Sequence, residues 1–371
     1  MIFYLSEAIV SQSAPARKHQ QADTLLIQAL PVFIGRQSIF SHTLYSAFPA
    51  AFYQKVHRRD LREENTMGGT EEQASCSSKS TGFSESKGGM TSNKARLCIA
   101  GTAFGYSLMG VTLKMIDCNP LVLSGAEKVI CFIVLGLSRK TFHISFNKKT
   151  MTGGIFAFLS GGLFVIANKM TTAANAVILQ YTNPIFVILI SFFFLHQKIV
   201  KKDIIFTIVM MCGMVLFFMD DLSAGNMAGN AVAVLSGVAM ALSNMYAYYS
   251  GADVCEYGMI NCLIAVVAGL IALPFDIPHL TLLSGGAILF YGIFCSGIPF
   301  ILFSRGAPRV EPLSISMLLM IEPVCGPLWV ALVVHEIPGT TALTGAGIVL
   351  LTLVVNSLYP IFSVKWKEKR A

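Results

Sequence analysis

The sequence predicts an all-α integral membrane protein whose ten transmembrane helices form two inverted five-helix repeats. Three observations lead to this fold class: an apolar composition, apolar runs of membrane-spanning length, and an echo between two distant runs. Of the 371 residues, 54% are hydrophobic and 13% are charged, and the mean hydropathy is +0.65. A soluble domain carries roughly 25% charged residues, so this composition leaves too little polar surface to cover a water-soluble globule.

Apolar runs follow one another along the chain from the end of its polar N-terminal region. A helix needs about 20 apolar residues to cross a hydrocarbon core of ~30 Å, and these runs have that length. We predict spans at 97–116, 120–138, 151–168, 174–195, 203–219, 230–250, 258–275, 286–304, 312–334 and 341–362. Tyr246, Tyr248 and Tyr249 close the sixth span and predict an aromatic belt at the membrane interface.

Charged residues in the loops predict the orientation. Lysine and arginine favour the cytoplasmic side, and with ten spans the pairs Lys148-Lys149 and Lys201-Lys202 fall on the side of both termini. We therefore expect a multi-pass protein of the cell (plasma or inner) membrane, embedded in the lipid bilayer, with cytoplasmic N- and C-termini. Because the basic residues are dispersed between apolar runs, nucleic acid is not an expected partner.

The chain divides into an N-terminal extension and two halves. Residues 1–90 are rich in Ser, Gln, Arg and Glu and end in a low-complexity stretch, which predicts disorder. The alternative is that translation begins at Met90 and the extension is not made in vivo. We assign residues 91–222 to the first five-helix repeat, and residues 223–371 to the second repeat with a short basic tail.

Two segments of the chain echo one another. Residues 173–199 and 312–338 align so that Asn183-Pro184 lies on Glu322-Pro323. A proline inside a helix removes a backbone donor and clashes with the preceding turn. We therefore predict helix kinks at Pro184 and Pro323, in the fourth and ninth spans.

A second echo gives the size of the repeat. Small residues four apart, Gly101 and Gly105 in the first span, match Gly237 and Ala241 in the sixth. The repeating unit is therefore five helices, and because five is odd, the second copy enters the membrane from the opposite side. Inverted repeats recur in secondary transporters, which bind substrate near the midplane between the halves.

The kink segments also carry a family resemblance. The stretches AVILQYTNPIFV (176–187) and SMLLMIEPV (316–324) resemble those of the drug/metabolite transporter (DMT) superfamily, in its EamA-like group of ten-helix proteins. Lys128 stands where that family often has an arginine in its second helix. Relatives often end helices four and nine with Gly-Glu, whereas this chain has His196-Gln197 and His335-Glu336. The resemblance implies a secondary transporter that exports or exchanges metabolites, amino acids or drug-like compounds.

Polar residues inside the spans are the candidates for binding or coupling. An ionisable group costs about 2.5–3.5 kcal/mol at a helix centre on insertion scales, so it usually faces a cavity or a partner. Glu127 and Lys128 point about 100° apart on a helix, so we expect them not to pair; Lys128 either lines a cavity or reaches a headgroup. The full set of substrate-binding or coupling candidates is Lys128, Glu127, Gln180, Asn183, Asn244, Glu322, Tyr106 and Asn168.

Within this set, the roles remain alternatives. Glu322 binds a cation, a proton or a substrate amine in one interpretation, and makes a structural hydrogen bond in the other. Gln180, Asn168, Asn244 and Tyr106 are each more typical of a hydrogen bond between helices than of a ligand contact.

Catalytic signatures are missing from the sequence. It contains no HExxH, no GxSxG and no P-loop, and its nine cysteines have no CxxC spacing. We predict no enzyme activity, no cofactor and no metal site, with a small-molecule substrate as the expected partner. A membrane-embedded enzyme and a non-transporting membrane subunit are the alternatives. Protons as a coupling ion and assembly as a homodimer stay open.

Overall fold

The computed structural model describes residues 90–109, 112, 120–197, 200–222, 226–275, 282–334 and 339–368. The predictions for the N-terminal extension and for His335-Glu336 lie outside these residues. In the described part of the chain every regular element is a helix and no strand occurs, as the composition predicted.

The helices follow the predicted spans in order. Their bounds are α1 Ser92–Ser107, α2 Pro120–Arg139, α3 Lys148–Met170, α4 Ala173–Gln180 and Asn183–Leu195, α5 Lys201–Phe217, α6 Met227–Tyr249, α7 Val254–Ala272, α8 Leu282–Phe290, Tyr291–Gly297 and Ile298–Gly306, α9 Pro312–Leu319 and Ile321–Val334, and α10 Thr340–Glu368. Three of them, α4, α8 and α9, change conformation along their length.

Six helices of the described residues are long and apolar enough to cross a membrane. They are Leu121–Arg139, Lys148–Met170, Ala173–Leu195, Met227–Tyr249, Val254–Ala272 and Ser284–Arg309. Two shorter apolar helices, Pro312–Gly326 and Thr340–Asn356, accompany them. Large apolar side chains such as Ile205 and Leu351 stand exposed on the outside of the bundle, which fits a surface that faces lipid.

Side chains at the helix starts satisfy backbone donors that the helices leave free. Asn147 accepts a hydrogen bond from the amide of Thr150 at the start of α3, and Thr172 accepts one from Asn175 at the start of α4. Such N-caps replace partners that the first turn lacks. Helix α4 ends at His196, whose backbone is left-handed with φ 51°.

Helices α4 and α9 break at equivalent positions. The first part of α4 ends at Gln180 and the second begins at Asn183, with Pro184 in its first turn. The first part of α9 ends at Leu319 and the second begins at Ile321. Both breaks fall just before the proline at which a kink was predicted, because its missing amide and its ring disturb the preceding turn.

Helix pairs organise the bundle. Helix α6 packs against α3 and α4, α1 packs against α8 and α9, α2 pairs with α7, and α5 pairs with α10. Glycines allow two of these pairs to approach closely. A Cβ on Gly125 would lie 2.9 Å from Cα of Gly269 where α2 meets α7, and one on Gly345 would lie 2.6 Å from the Gly213 carbonyl where α10 meets α5.

The aromatic belt predicted at the end of α6 is wrong for two of its tyrosines. Tyr246 is fully buried and Tyr249 is 3% exposed. The Tyr246 hydroxyl donates to the Lys149 carbonyl at 2.9 Å, and the Gln197 amide donates to the Tyr249 hydroxyl at 3.0 Å. These rings therefore join helix ends inside the protein, because α6 is enclosed by α3, α4 and α9.

Candidate functional site

The breaks of α4 and α9 meet in the interior. Tyr181, in the break of α4, donates its hydroxyl to Oε2 of Glu322 at 2.6 Å. Glu322 stands in the first turn of the second part of α9. This hydrogen bond orients the carboxylate and ties the two broken helices together.

A second charged cluster lies on α2, where an expectation from the sequence is wrong. Lys128 and Glu127 do form an ion pair, with 2.7 Å between Nζ and Oε1. Lys128 also donates to Oγ of Ser296 on α8 at 3.0 Å. The 100° offset applies to the Cα–Cβ directions, whereas the long lysine side chain can bend back toward its neighbour. Glu127 is buried, and its Oε2 has no hydrogen-bond partner.

A π-helical segment of α8 supplies the partner of Lys128. Residues Tyr291–Gly297 are wound wider than an α-helix, and the amide of Ile298 bonds to the carbonyl of Ile293. Pro299 follows directly and has no amide to continue the α-helical ladder. Such segments are frequent at functional sites, and this one holds Ser296 opposite Lys128.

Two tyrosines lie on the helices that pack around these clusters. Tyr106 is half-buried on α1, which packs against α8 and α9, and Tyr291 is buried on α8 in the π-helical segment that contains Ser296. Lys128 and Glu322 are both partly buried and keep accessible surface.

Trp329 of α9 is a third aromatic residue on these helices. Its indole Nε1 donates to Oγ of Ser107 at 2.9 Å, and its ring meets Phe104 edge-on with 5.4 Å between centroids. Helices α1 and α9 are thereby joined about two turns of α9 beyond Glu322.

Four other predicted residues lie in helix contacts. Gln180 donates to Oγ of Ser236 at 2.7 Å and to the Ser160 carbonyl at 3.2 Å, which joins α4, α6 and α3. Asn244 donates to Oγ of Ser316 at 3.1 Å, between α6 and α9.

The remaining two are Asn183 and Asn168. Asn183 is fully buried, with its Nδ2 2.9 Å from the sulfur of Met240 and no partner on Oδ1. Asn168 donates to the Phe164 carbonyl of its own helix at 3.1 Å. All four have protein contacts of the kind that joins or caps helices.

Sequence reasoning missed three members of the site. Tyr291 and Ser296 lie in an apolar run without a candidate residue, and Tyr181 lies between the candidates Gln180 and Asn183 but was not itself selected. A signal for Tyr181 existed, since it lies three residues before Pro184, in the break that this proline predicts. For Ser296, the Ser-Gly-Ile-Pro order at 296–299 was the available hint of an irregular helix.

Ion pairs join two helix ends at one end of the bundle. Arg139, at the end of α2, lies 3.2 Å from Oδ2 of Asp253 and 3.7 Å from Oε2 of Glu256, at the start of α7. Glu256 also accepts a hydrogen bond from the amide of Ser145 in the loop before α3. This cluster joins elements of both halves of the chain.

No group of three His, Cys, Asp or Glu side chains within the described ranges could hold a metal ion. A helical bundle with several membrane-length spans and an interior charged site defines a multi-pass membrane protein. The EamA-like transporter family model matches residues 93–219 and again residues 227–358. The chain therefore belongs to the EamA-like transporter family and is a membrane transporter.

Relatives and a solved structure agree with this assignment. An uncharacterized transporter of Bacillus subtilis (strain 168), YoaV, is 22% identical over 274 residues, which are 68% of this chain and 92% of the relative. An uncharacterized transporter of Clostridium kluyveri is 23% identical over 291 residues, 71% of this chain and 93% of the relative. A crystal structure of another protein superposes with a TM-score of 0.62 at 16% identity, over 71% of this chain and 98% of that chain.

Proposed function

We propose that this protein is a secondary transporter that exports or exchanges a small organic solute by alternating access. The observation that carries the proposal is the meeting of two broken helices at an interior carboxylate, Glu322, in a bundle that also holds the Glu127–Lys128 pair. Broken helices near the midplane are a recurrent way to form substrate and ion sites in secondary transporters. An internal site lined by charged groups also suits a carrier better than a structural subunit.

The proposed architecture is ten spans in two inverted repeats, residues 91–222 and 223–371. The packing supports it, because exchanging each helix for the one five positions along maps the main contacts onto one another: α3 with α6 onto α8 with α1, and α4 with α6 onto α9 with α1. The family model also matches twice, once inside each proposed repeat.

The proposed orientation places both termini on the cytoplasmic side of the cell membrane. Asp221, between α5 and α6, then lies outside. A periplasmic- or extracellular-active reporter fused after Asp221 should be active, and a reporter active only in the cytoplasm at this position would overturn the orientation.

The proposed cycle opens the interior to each side in turn. The pairs from Arg139 to Asp253 and Glu256 join α2 to α7 at one end of the bundle. The proposed orientation makes this the cytoplasmic end, and in the proposed cycle the pairs separate when that end opens. Proton coupling through Glu322 is part of the proposal. If the Glu322→Gln variant kept the pH dependence of the wild-type protein in transport, the coupling role of Glu322 would be rejected.

Reconstitution tests the transport function directly. Purified full-length protein in proteoliposomes should exchange labelled compounds from a panel of amines, amino acids, sugars and organic acids. Liposomes with heat-inactivated protein are the matched control. A protein that moves no member of the panel would favour a non-transporting membrane subunit instead.

A further inference from the structure

We infer that the site selects organic cations, amines that carry no carboxylate, by pairing their ammonium group with Glu322 inside an aromatic lining. This inference rests on the proposed transport function and specifies the charge of the transported substrate. It excludes zwitterionic amino acids and organic acids as preferred substrates.

The charge balance of the site favours a positively charged substrate. The carboxylate of Glu127 is matched by Lys128 at 2.7 Å. Glu322 accepts one hydrogen bond from Tyr181, and no Lys or Arg of the described residues forms an ion pair with it. A buried charge without a counter-ion is costly, so the site as a whole is most stable when a positive group enters it.

Lys128 is poorly placed to bind a substrate carboxylate. Its ammonium already has two partners, Glu127 and Ser296, 2.7 and 3.0 Å away. A substrate carboxylate would have to compete with Glu127 for this cation. Lys128 therefore offers an acid no free positive group.

Aromatic side chains near Glu322 also favour an organic cation. The Tyr181 hydroxyl contacts Glu322 directly, and Trp329 stands about two turns further along α9, where its ring meets Phe104 edge-on. A cation over the face of an aromatic ring gains about 0.5–1 kcal/mol when exposed and about 2 or more when desolvated. Aromatic rings also contact the apolar part of an organic amine, which a metal ion lacks.

A matched set of phenyl compounds tests the inference by binding. Phenethylamine is the cation, phenylalanine adds a carboxylate to it, 3-phenylpropionate is the anion and 2-phenylethanol is neutral. The readout is thermal stabilisation of purified full-length protein at millimolar ligand, repeated with the corresponding indole and alkyl series. We expect the amines to stabilise the protein and the other three classes to have little effect. Equal or better stabilisation by zwitterions or anions, or no stabilisation by any amine, would overturn the inference.

Two variants separate charge recognition from folding. Glu322→Gln keeps an acceptor for Tyr181 and should bind phenethylamine roughly tenfold to a hundredfold more weakly. Glu127→Gln frees Lys128 as a cation, and phenylalanine should then bind measurably better than to the wild-type protein. If amine binding were unchanged in Glu322→Gln while that variant melts like the wild-type protein, the assignment of Glu322 would be wrong.

A transport measurement distinguishes failure of this inference from failure of the proposed function. Proteoliposomes that exchange zwitterions or acids but not amines would leave the transporter proposal intact and reject cation selectivity. Proteoliposomes that exchange none of the compounds would reject the transporter proposal itself.

Discussion

The breaks of α4 and α9 have the same geometry and different chemistry. In each, a helix stops four residues before a proline and starts again with that proline in its first turn. The residue before the proline is a buried, neutral Asn183 in α4 and a charged, partly accessible Glu322 in α9. Proline thus determines where the helix breaks, and the residue before it determines whether the break carries an ionisable group.

The surroundings explain why only one break carries a charge. Asn183 faces the Met240 sulfur on α6 and has no accessible surface, whereas Glu322 accepts a hydrogen bond from the Tyr181 hydroxyl and keeps accessible surface. A repeated fold can therefore acquire an asymmetric site without any change in its helix arrangement. The predictions below test this difference, beginning with the largest expected effect.

Placing a carboxylate in the α4 break should be severely destabilising. Asn183→Asp places a carboxyl group against Met240 with no cation in contact. This substitution should lower the free energy of unfolding by about 2.5–3.5 kcal/mol. Thermal melting of the purified protein in detergent measures the loss. Asn183→Ala is the matched control, because it removes the amide without adding charge. A melting temperature of Asn183→Asp equal to that of this control would show that the two breaks are equally able to hold a charge.

Crowding the α4 break from α6 should have the next largest effect. A Cβ on Gly237 would lie 2.7 Å from the carbonyl oxygen of Gln180, a rigid backbone atom. Gly237→Ala should therefore cost about 1–3 kcal/mol through overpacking. Its counterpart Gly101→Ala meets only the flexible end of Leu302 at 3.1 Å and should be nearly neutral. The reverse order of melting temperatures would contradict the packing described for α4 and α6.

Removing the polar residue before the α4 break should have the smallest effect. Gln180→Leu makes this position resemble Leu319 in α9 and removes the bond to Ser236. We expect the free energy of unfolding to fall by about 0.6–1.7 kcal/mol, while transport is retained. Melting curves and proteoliposome exchange check both parts. Loss of transport at unchanged stability would instead assign Gln180 to the substrate.

Part of the fold and of the site could be predicted from the sequence. Pro184 and Pro323 revealed the two breaks, because the lack of an amide acts locally whatever the neighbouring helices do. Glu322 was a site candidate for a related reason: a carboxylate in an apolar run must find a cavity or a partner. These inferences depend on single residues and their immediate neighbours.

The rest depends on which helices become neighbours. Lys128 pairs with Glu127 and also donates a hydrogen bond to Ser296 of α8. The positions of residues along α2 alone cannot predict the contact with α8. Tyr246 is buried because the end of α6 is enclosed by other helices, although its place in the sequence suits a membrane interface. The π-helical segment of α8 likewise has only a weak local signal in Pro299.

Side-specific cysteine labelling of the two breaks tests the central claim most directly. Native Cys325, partly exposed beside the α9 break, is compared with Asn183→Cys, each in protein whose other cysteines are replaced, using a membrane-impermeant thiol reagent on proteoliposomes. We predict that Cys325 reacts and is protected by phenethylamine, whereas the Asn183→Cys variant does not react. Equal reaction at both positions, or no reaction of Cys325 from either side, would contradict the claim that only the α9 break lines the transport pathway.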